Sequence, residues 1–297
     1  MRRAAATLPA ALFGTSRRAL PLVSAAARGR RAYRGRQSMV VPSPIIPPPA
    51  DMLVTVAQYD AIAAAYQDSK QLPFRKHVER HTLFEALGDV RGLRVLDLAC
   101  GEGFYTRLLR LAGAAEVTGV DISGEMIRLA ERQERENPLG CRYVCTDAAD
   151  YQPEGAVDLV VAMYLLHYAG SADKLLRFLK VAHAALRTGG RLVGFNDNVL
   201  NPPRGTVSWS KYGIVKTGPA VPAAGAPIRY RLTNSDGTSF EFDNYYESPD
   251  TYRRAFHEAG FREFRWLDVS LDPAERGNPF WDEFLDNPPV IGFTATR

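Results

Sequence analysis

Acidic residues and glycines stand at the ends of short apolar segments in the middle of the chain. Asp97 lies in the first of these segments, Gly101 and Gly103 follow it, and Asp121 and Asp147 come just after the next two. Glycine lets a backbone approach a ligand closely, and a carboxylate accepts hydrogen bonds from ribose hydroxyls or an adenine amino group. Ligands of open α/β sheets bind beyond the carboxyl ends of the strands. The spacing therefore predicts one site for an adenosine-containing ligand.

The segments that carry these residues alternate with helical patterns. Five apolar, β-branched runs are typical of strands: residues 94–98, 116–120, 141–145, 157–163 and 191–195. Helical patterns cover residues 104–111, 124–136, 172–188 and 249–259. Ser123, Ser171 and Ser248 are suited to cap three of these helices, and Gly189-Gly190 and Gly260 to end two of them. The alternation predicts an α/β domain with a doubly wound, Rossmann-like parallel sheet.

Residues 201–247 interrupt this alternation. Residues 201–227 are rich in proline, glycine and alanine and predict a long loop. Residues 229–232 and 239–242 flank an Asn-Ser-Asp-Gly turn, which is typical of a hairpin. We expect residues 201–247 to be an insertion on the substrate side of the domain.

Charge is distributed unevenly along the chain. Residues 1–50 contain nine arginines and no acid, and without them 28 lysines and arginines face 33 acids, a net charge of −5. The folded part is therefore mildly acidic, and we expect no nucleic-acid partner. Hydrophobic residues make up 46% of the chain, which suits a folded core. No apolar run approaches the roughly 20 residues that span a bilayer, so we expect no transmembrane segment.

The N-terminal segment has the composition of a targeting sequence. Residues 1–37 are rich in alanine and arginine and lack acids, as an organelle transit peptide does, so we expect a mitochondrial or plastid protein. The alternatives are a cytoplasmic protein that starts at Met39 or Met52, or a secretory or twin-arginine signal. Prolines then predict a linker, so that residues 1–50 carry no fold and residues 51–297 form the domain.

Cysteines and histidines give no convincing metal site. Three cysteines argue against a disulfide framework and for a reducing compartment. Cys141 and Cys145 are four residues apart but have no further partners in the sequence. His77 and His81 share a predicted helix face, yet the glutamate between them is misplaced for a metalloprotease motif. We expect no bound metal and a surface pair of histidines.

The order of the strand-end motifs resembles the class I S-adenosylmethionine (SAM)-dependent methyltransferases, over about residues 55–200. The resemblance implies SAM as the cofactor. It also implies a seven-stranded sheet of order 3-2-1-4-5-7-6, whose last strand is antiparallel, with N-terminal helices as a lid. Two candidate strands at residues 261–269 and 290–294 suit the last two places in that sheet.

The same resemblance implies where the cofactor would bind. Gly101 would lie under its methionine part, Asp121 would bind the ribose, Asp147 and Ala148 would face adenine, and Met126 would pack near the adenosine. The full expected set is Tyr59, Tyr66, Asp97, Ala99, Gly101, Gly103, Asp121, Ile122, Met126, Asp147, Ala148 and Met163.

Aromatic residues near residue 60 have two interpretations. Tyr59, Ile62 and Tyr66 form a helical stripe that either packs against the sheet or covers the cofactor, with a tyrosine hydroxyl near the methionine carboxylate. Arg75 could pair with that carboxylate, although a solvated side chain is the simpler expectation.

Within the superfamily, the sequence is similar to toxoflavin-synthase-like proteins in segments 58–66, 72–75, 97–105 and 196–198. In those relatives the substrate is a nitrogen heterocycle methylated on a ring nitrogen. The arginine-rich presequence departs from them and puts the substrate in doubt. The resemblance implies methyl transfer to a nitrogen or oxygen of a small, planar heterocyclic or aromatic molecule. A quinone precursor is the alternative if the N-terminal segment targets an organelle.

His167 and Asp197 are the candidate catalytic bases, if the nucleophile has a proton to lose. His167 follows the fourth strand, and Asp197 lies in an Asn-Asp-Asn sequence at the end of the fifth. Both also have structural interpretations, as a packed histidine and as part of a turn. Four tyrosines after the fifth strand either wall a planar substrate or belong to the core: Tyr212, Tyr230, Tyr245 and Tyr246.

Two other classes of protein share parts of this pattern. A nicotinamide-dependent dehydrogenase would need glycine or alanine at the third position of its glycine motif, where this chain has Thr106. A non-catalytic assembly factor with the same fold would not need the glycines after the first strand or the acids expected at the ribose and adenine. Their presence here argues against this class. The sequence therefore favours the methyltransferase, and failure to bind SAM would favour the other classes.

Overall fold

Strands and helices alternate through most of the computed structural model, which describes residues 50–297 and their side chains from Tyr59 onward. The strands are β1 (Arg94–Leu98), β2 (Glu116–Asp121), β3 (Arg142–Cys145), β4 (Val157–Met163), β5 (Leu186–Asp197), β6 (Gly205–Trp209), β7 (Ile214–Gly218), β8 (Ala226–Thr233), β9 (Ser239–Tyr246), β10 (Arg262–Leu267) and β11 (Val290–Thr296). The helices are α1 (Ala50–Asp68), α2 (Arg80–Leu87), α3 (Phe104–Leu111), α4 (Gly124–Glu136), α5 (Ala172–Ala185), α6 (Pro249–Glu258) and α7 (Asp282–Asp286). The predicted transit segment, residues 1–37, lies outside the described residues.

The main sheet has the predicted topology. Its seven strands run in the order β3-β2-β1-β4-β5-β11-β10, and β11 is antiparallel to both of its neighbours. Leu98 of β1 stands level with Val120 of β2 and with Ala162 of β4, so these strands end at one edge. The α/β fold and the place of the last strand between the fifth and the penultimate strand are confirmed.

Both faces of the main sheet are buried, which explains why its central strands are apolar throughout. Val95 and Val161 face one core together with Leu83 of α2. Leu96 and Val160 face the other core, which contains residues of α5 and α6. Ser123, Ser171 and Ser248 each accept a backbone N–H at the start of a helix, as predicted.

The structure corrects two predictions about element boundaries. Helix α5 ends at Ala185, where Leu186 turns the backbone into β5, so Gly189-Gly190 lies in the strand. A Cβ on Gly190 would lie 2.9 Å from the carbonyl oxygen of Arg187, so glycine serves close packing there. The predicted loop over residues 201–227 was also wrong, because it contains β6 and β7. Its prolines and glycines masked a short alternating pattern in which Ile214 and Lys216 are buried.

Strands β6 to β9 form a separate antiparallel sheet. The predicted hairpin at residues 229–242 is its β8–β9 pair. Ile228, Tyr230 and Leu232 alternate inward along β8 and join the same core as α1 and α2. The small sheet thus covers one side of the edge where the main strands end. Among the described residues, no helix has the length and apolar character needed to cross a membrane.

Candidate active site

A pocket of about 810 Å³, including its open mouth, lies beyond the carboxyl ends of β1, β2, β3 and β4. Eleven of the twelve residues predicted to bind a cofactor line it, all except Gly103. Residues that the sequence argument missed also line it: Lys70, Cys100, Tyr105, Val120, Tyr164, Leu165, Tyr168, Lys174 and Phe178. The topology therefore gathers the predicted set into one cavity.

Asp97 is fully buried at the end of β1, where the glycine turn begins. Its Oδ2 accepts a hydrogen bond from the hydroxyl of Thr106 at 2.7 Å, while no donor in the described part of the chain contacts Oδ1. Burial raises the pKa of this carboxyl to about 7, against the opposing effect of the Thr106 bond. A buried acceptor with a free oxygen is a ready site for a cationic group of a ligand.

Asp121 at the end of β2 holds the glycine turn in place. One carboxylate oxygen accepts the N–H of Gly101 at 2.8 Å and the other accepts the N–H of Ser123 at 2.9 Å. Burial raises its pKa to about 6, although these backbone bonds act in the opposite direction. Each oxygen keeps a second lone pair, so the carboxylate can still accept two ligand hydroxyls.

Asp147 and Ala148 follow β3 on the far side of the pocket. The Asp147 carboxylate accepts the N–H of Ala149 at 2.8 Å, and its other oxygen lies 3.9 Å from the Lys174 ammonium. Met126 of α4 is buried beneath the glycine turn, and a Cβ on Gly101 would lie 4.0 Å from its sulfur. This end of the pocket combines an acceptor with apolar walls, which suits a flat aromatic ring.

The segment after α1 supplies a lysine to the pocket. Lys70 is buried, and its ammonium lies 4.7 Å from the ring centre of Tyr66 and 5.5 Å from that of Tyr105. Within residues 59–297 no carboxylate oxygen lies within 4.0 Å of it in a salt bridge. Tyr59 and Tyr168, which also line this pocket, contact each other through their hydroxyl groups. The charge of Lys70 acts through space on Asp97 and lowers the pKa of that carboxyl. A buried cation with no salt-bridge partner is nevertheless an anion site.

Arg75 is buried, which corrects the expectation of a solvated side chain. Its guanidinium pairs with Glu79 at 3.1 Å, in the π-helical turn Arg75–Glu79 that leads into α2. The hydroxyls of Tyr105 and Tyr164 donate to the same carboxylate. Arg75 also lies 5.5 Å from the ring centre of Tyr66. The charge of Arg75 is therefore already neutralised, and Lys70 is the better partner for a ligand anion.

A second cavity, of about 330 Å³, adjoins the first. The two share three tyrosines as a common wall: Tyr66, Tyr164 and Tyr168. The remaining lining is Phe74, Arg75, His167, Ile214, Tyr230, Leu232, Phe242, Asn244 and Val290. Most of these residues come from the small sheet, so the insertion builds much of this cavity.

His167 lines the second cavity, whereas Asp197 lines neither cavity. The Nδ1 atom of His167 accepts the N–H of Asp197 at 3.2 Å, and burial together with the Lys216 charge holds its pKa well below the usual value. Asp197 is buried in an ion pair of 2.5 Å with Lys216 of β7. Asn196 donates to the hydroxyl of Tyr252 at 2.7 Å. The ion pair leaves Asp197 a structural role at the junction of the two sheets.

Several predicted residues are placed away from the pockets. Gly103 begins α3 with a φ of +82°, and a Cβ there would lie 2.5 Å from the Tyr143 hydroxyl, so it serves close packing. Tyr212 packs in the core on Phe284. His77 contacts Asp272 near the surface. Within the described residues no group of three or more metal-ligating side chains forms a metal site.

The cavity residues that were not predicted differ in how far the surrounding sequence indicated their role. Tyr164 follows β4 directly, between the predicted site residues Met163 and His167, and has a φ of +65°. Lys70 lies in a polar stretch that is typical of a solvated surface, so nothing local marked it. Asn244 is an inward residue of β9, and only the packing of the small sheet brings it to a cavity.

Residues 95–190 match the family model described as a methyltransferase domain. This segment runs from β1 into β5 and carries the glycine turn and the three aspartates of the pocket. The segment is thus similar to methyltransferase domains, and the chain shares its fold with solved SAM-dependent methyltransferases.

Curated relatives match about half of the chain. A ubiquinone biosynthesis O-methyltransferase of Bordetella parapertussis is 29% identical over 153 residues, which are 50% of this chain and 61% of that protein. A protein of the same name from Bradyrhizobium diazoefficiens is 32% identical over 143 residues, 43% of this chain and 55% of that protein. The chain thus spans little more than half the length of the curated relatives it matches.

Solved structures share the fold at low sequence identity. The CcbJ methyltransferase of Streptomyces caelestis has a TM-score of 0.58 at 16% identity, over 82% of this chain and 97% of that one. A SAM-dependent methyltransferase of Mesorhizobium loti has a TM-score of 0.55 at 21% identity, over 74% and 97%. The DhpI–SAM–HEP complex has a TM-score of 0.54 at 20% identity, over 84% and 100%. A second DhpI structure, its complex with SAH, has a TM-score of 0.51 at 22% identity.

Proposed function

We propose that this protein is a SAM-dependent methyltransferase that acts on a nitrogen or oxygen of a small, planar molecule. The observation that carries the proposal is the pair of adjoining cavities. One is lined by the strand-end residues expected for SAM, and the other is an aromatic chamber that shares a wall with it.

The free polar groups of the larger pocket fit the parts of SAM. The unpaired Oδ1 of Asp97 suits the ammonium of the methionine part, and the unpaired Lys70 suits its carboxylate. The two oxygens of Asp121 suit the ribose hydroxyls, and Asp147 suits the adenine amino group. Met126 lies beneath the glycine turn as an apolar surface for the adenosine. Bound there, SAM supplies a methyl group on a positively charged sulfur.

The smaller cavity suits an uncharged, flat methyl acceptor. Its charged side chain Arg75 is paired with Glu79, and Asp197 is paired with Lys216 behind His167. Tyr66, Tyr164 and the other rings of the wall offer faces for a planar molecule. An ionised acceptor would find no unpaired opposite charge among these residues.

The chain's contribution to the reaction is mainly alignment. Holding two reactants in line is worth up to about 7–11 kcal/mol of the barrier. The tyrosine wall, with Tyr59 contacting Tyr168 above it, orients the acceptor and keeps water out of the junction between the cavities. A base is needed only for an acceptor that still carries its proton at neutral pH.

Calorimetric titration with SAM and with S-adenosylhomocysteine tests the proposal. The protein should begin at Met39, because the described fold starts near residue 50. We expect micromolar binding of both compounds, followed by methyl transfer from labelled SAM to some members of a set of heterocycles and phenols. Failure to bind either compound would contradict the proposal and make NADH the next ligand to test. Binding without transfer to any acceptor would favour a non-catalytic assembly factor.

A quinone precursor is the second candidate acceptor. It is favoured by the ubiquinone biosynthesis O-methyltransferases among the relatives, which match 50% and 43% of the chain. Methylation of a catechol, with no transfer to nitrogen heterocycles, would support this candidate. We also propose that residues 1–37 direct the chain to a mitochondrion or plastid, and a fluorescent fusion of that segment would test this.

A further inference from the structure

The surroundings of His167 determine which nitrogen of its ring carries the proton. Its Nδ1 accepts the backbone N–H of Asp197 at 3.2 Å, which requires a lone pair on that nitrogen. Burial keeps the pKa of the ring well below its usual value, so the imidazole is neutral near pH 7. A neutral imidazole carries one proton. The proton therefore sits on Nε2, and Nε2 is a hydrogen-bond donor.

No acceptor within residues 59–297 contacts this Nε2 atom, although it is buried. The same is true of three other polar side chains on the wall of the smaller cavity. The unpartnered atoms there are Arg75 Nε, Tyr230 Oη and Oδ1 of Asn244, whose Nδ2 is directed to Asp197 and lowers the pKa of that carboxyl. Buried polar atoms are nearly always hydrogen-bonded, so a group of exceptions around one cavity indicates a ligand or ordered water.

We propose that His167 and Asn244 recognise the methyl acceptor, His167 by donating from Nε2 and Asn244 by pairing with an adjacent donor and acceptor. The proposal rests on the proposed function and adds the residues that select the acceptor. It replaces the expectation that His167 removes a proton, because the only lone pair of its ring is occupied by Asp197 N–H. His167 is thus a specificity-determining residue.

His167 and Asn244 together select a molecule that has neighbouring hydrogen-bonding groups along one edge. An amide side chain offers one acceptor and two donors. With one N–H directed to Asp197, the oxygen and the other N–H of Asn244 still pair with an N–H beside a C=O. An acceptor atom on the same edge would satisfy His167. A ligand without such groups leaves both side chains unpaired, at about 1–3 kcal/mol each. Apolar molecules that fit the cavity should therefore bind far more weakly than those with this edge.

The first test is histidine NMR on the chain labelled with ¹⁵N-histidine. The signals of His167 are those lost in His167→Gln, and the remaining four histidines are internal references. We expect the pattern of a neutral ring protonated on Nε2, unchanged from about pH 5.5 to about pH 8. Lys216, Asp197, Tyr164 and Tyr168 surround the ring, and the Lys216 charge opposes its protonation. An Nδ1-protonated pattern, or titration within this range, would overturn the proposal.

The second test uses two probes of similar size, uracil and toluene, titrated with SAM absent. Uracil has neighbouring N–H and C=O groups, and toluene has neither. Uracil should shift the His167 Nε2 signal and bind at least tenfold more weakly to Asn244→Leu, while the exposed Asn137→Leu variant binds it normally. Toluene should bind Asn244→Leu at least as tightly as the other two proteins, because leucine removes an amide that toluene leaves unpaired. Equal binding of both probes, no uracil binding, or unchanged affinity in Asn244→Leu would overturn the proposal.

The two proposals fail separately in these experiments. Loss of SAM binding with the Nε2 tautomer intact would contradict the methyltransferase function alone. Normal SAM binding with a reversed tautomer would contradict the role of His167 alone. His167→Gln keeps a donor at a similar reach, so it should retain more uracil binding than His167→Leu.

Discussion

Removing Lys216 should destabilise the protein because it leaves a buried carboxylate without a partner. Lys216 is 2% exposed, donates to Asp197 at 2.5 Å and also donates to the carbonyl oxygen of Pro289. The pair joins β7 of the small sheet to the end of β5, and Pro289 precedes β11. Lys216→Met keeps most of the side-chain volume and deletes the charge. We expect a loss of about 3–5 kcal/mol in the free energy of unfolding.

Urea unfolding followed by tryptophan fluorescence measures this loss. With an m-value of about 3 kcal/mol per molar, the midpoint should fall by roughly 1–1.7 M. Removing both charges in Lys216→Met/Asp197→Leu should recover most of the stability, since apolar replacement of a buried ion pair is often neutral. A free energy of unfolding for Lys216→Met within about 1 kcal/mol of wild type would refute the reasoning. So would a double variant whose loss equals the sum of the losses in Lys216→Met and Asp197→Leu.

The loss should also depend on pH. Burial already raises the pKa of Asp197 above its usual value, and Lys216 is the main group that opposes this shift, followed by Asn244. Without Lys216 the folded state should therefore hold the Asp197 proton more tightly than the unfolded state does. An acid whose pKa is raised by folding stabilises the protein at low pH and loses that contribution as pH rises. The Lys216→Met defect should be smaller at pH 5 than at pH 8, and an equal defect at both values would contradict this account.

The cofactor pocket gives three further expectations, each measurable by calorimetry. Asp121→Ala should weaken SAM binding at least about tenfold, because it removes the ribose acceptor and the bonds that hold the Gly101 turn; unchanged affinity would refute its ribose role. SAM affinity should rise about tenfold from pH 6 to pH 8, because the pKa of Asp97 is raised to about 7 and a protonated carboxyl cannot pair with an ammonium. Asp97→Asn should reduce that pH dependence to about twofold, the part that comes from Asp121 with its pKa of about 6, and a tenfold dependence in the variant would assign it to another group. Lys70→Met should weaken SAM binding roughly 10–150-fold, the value of a hydrogen bond to a charged group. The same variant should lose much less affinity for decarboxylated SAM, since only the effect of Lys70 on the pKa of Asp97 then remains. An equal loss for both ligands would show that Lys70 does not contact the carboxylate.

Most of the main sheet was predictable because its signals are local. Each strand is a short apolar run, and Ser123, Ser171 and Ser248 mark helix starts through bonds to N–H groups three residues away. The glycine turn and the aspartates at the strand ends also stand close in sequence to the strands that position them. The predicted order of strands followed from the resemblance, since periodicity alone does not rank neighbours in a sheet.

The small sheet escaped prediction for a different reason. Residues 201–227 combine turn-forming composition with two short strands, and their strand character depends on pairing with each other and with β8. A pairing partner that is distant in sequence leaves no local pattern. The second cavity was therefore invisible too, because Asn244 and Tyr230 reach it only through that sheet.

The sequence by itself determined the elements, the glycine turn and the identity of the acids at the strand ends, because these depend on neighbouring residues. Only the tertiary structure decided which polar groups lose water and which partner each then finds. Lys70 came to lie among rings, Arg75 paired with Glu79, and Asp197 paired with Lys216 across the two sheets. The donor state of His167 likewise depends on a backbone N–H 30 residues away. Solvation and hydrogen bonding are set by what surrounds an atom in space, and the chain brings those surroundings together only when it folds.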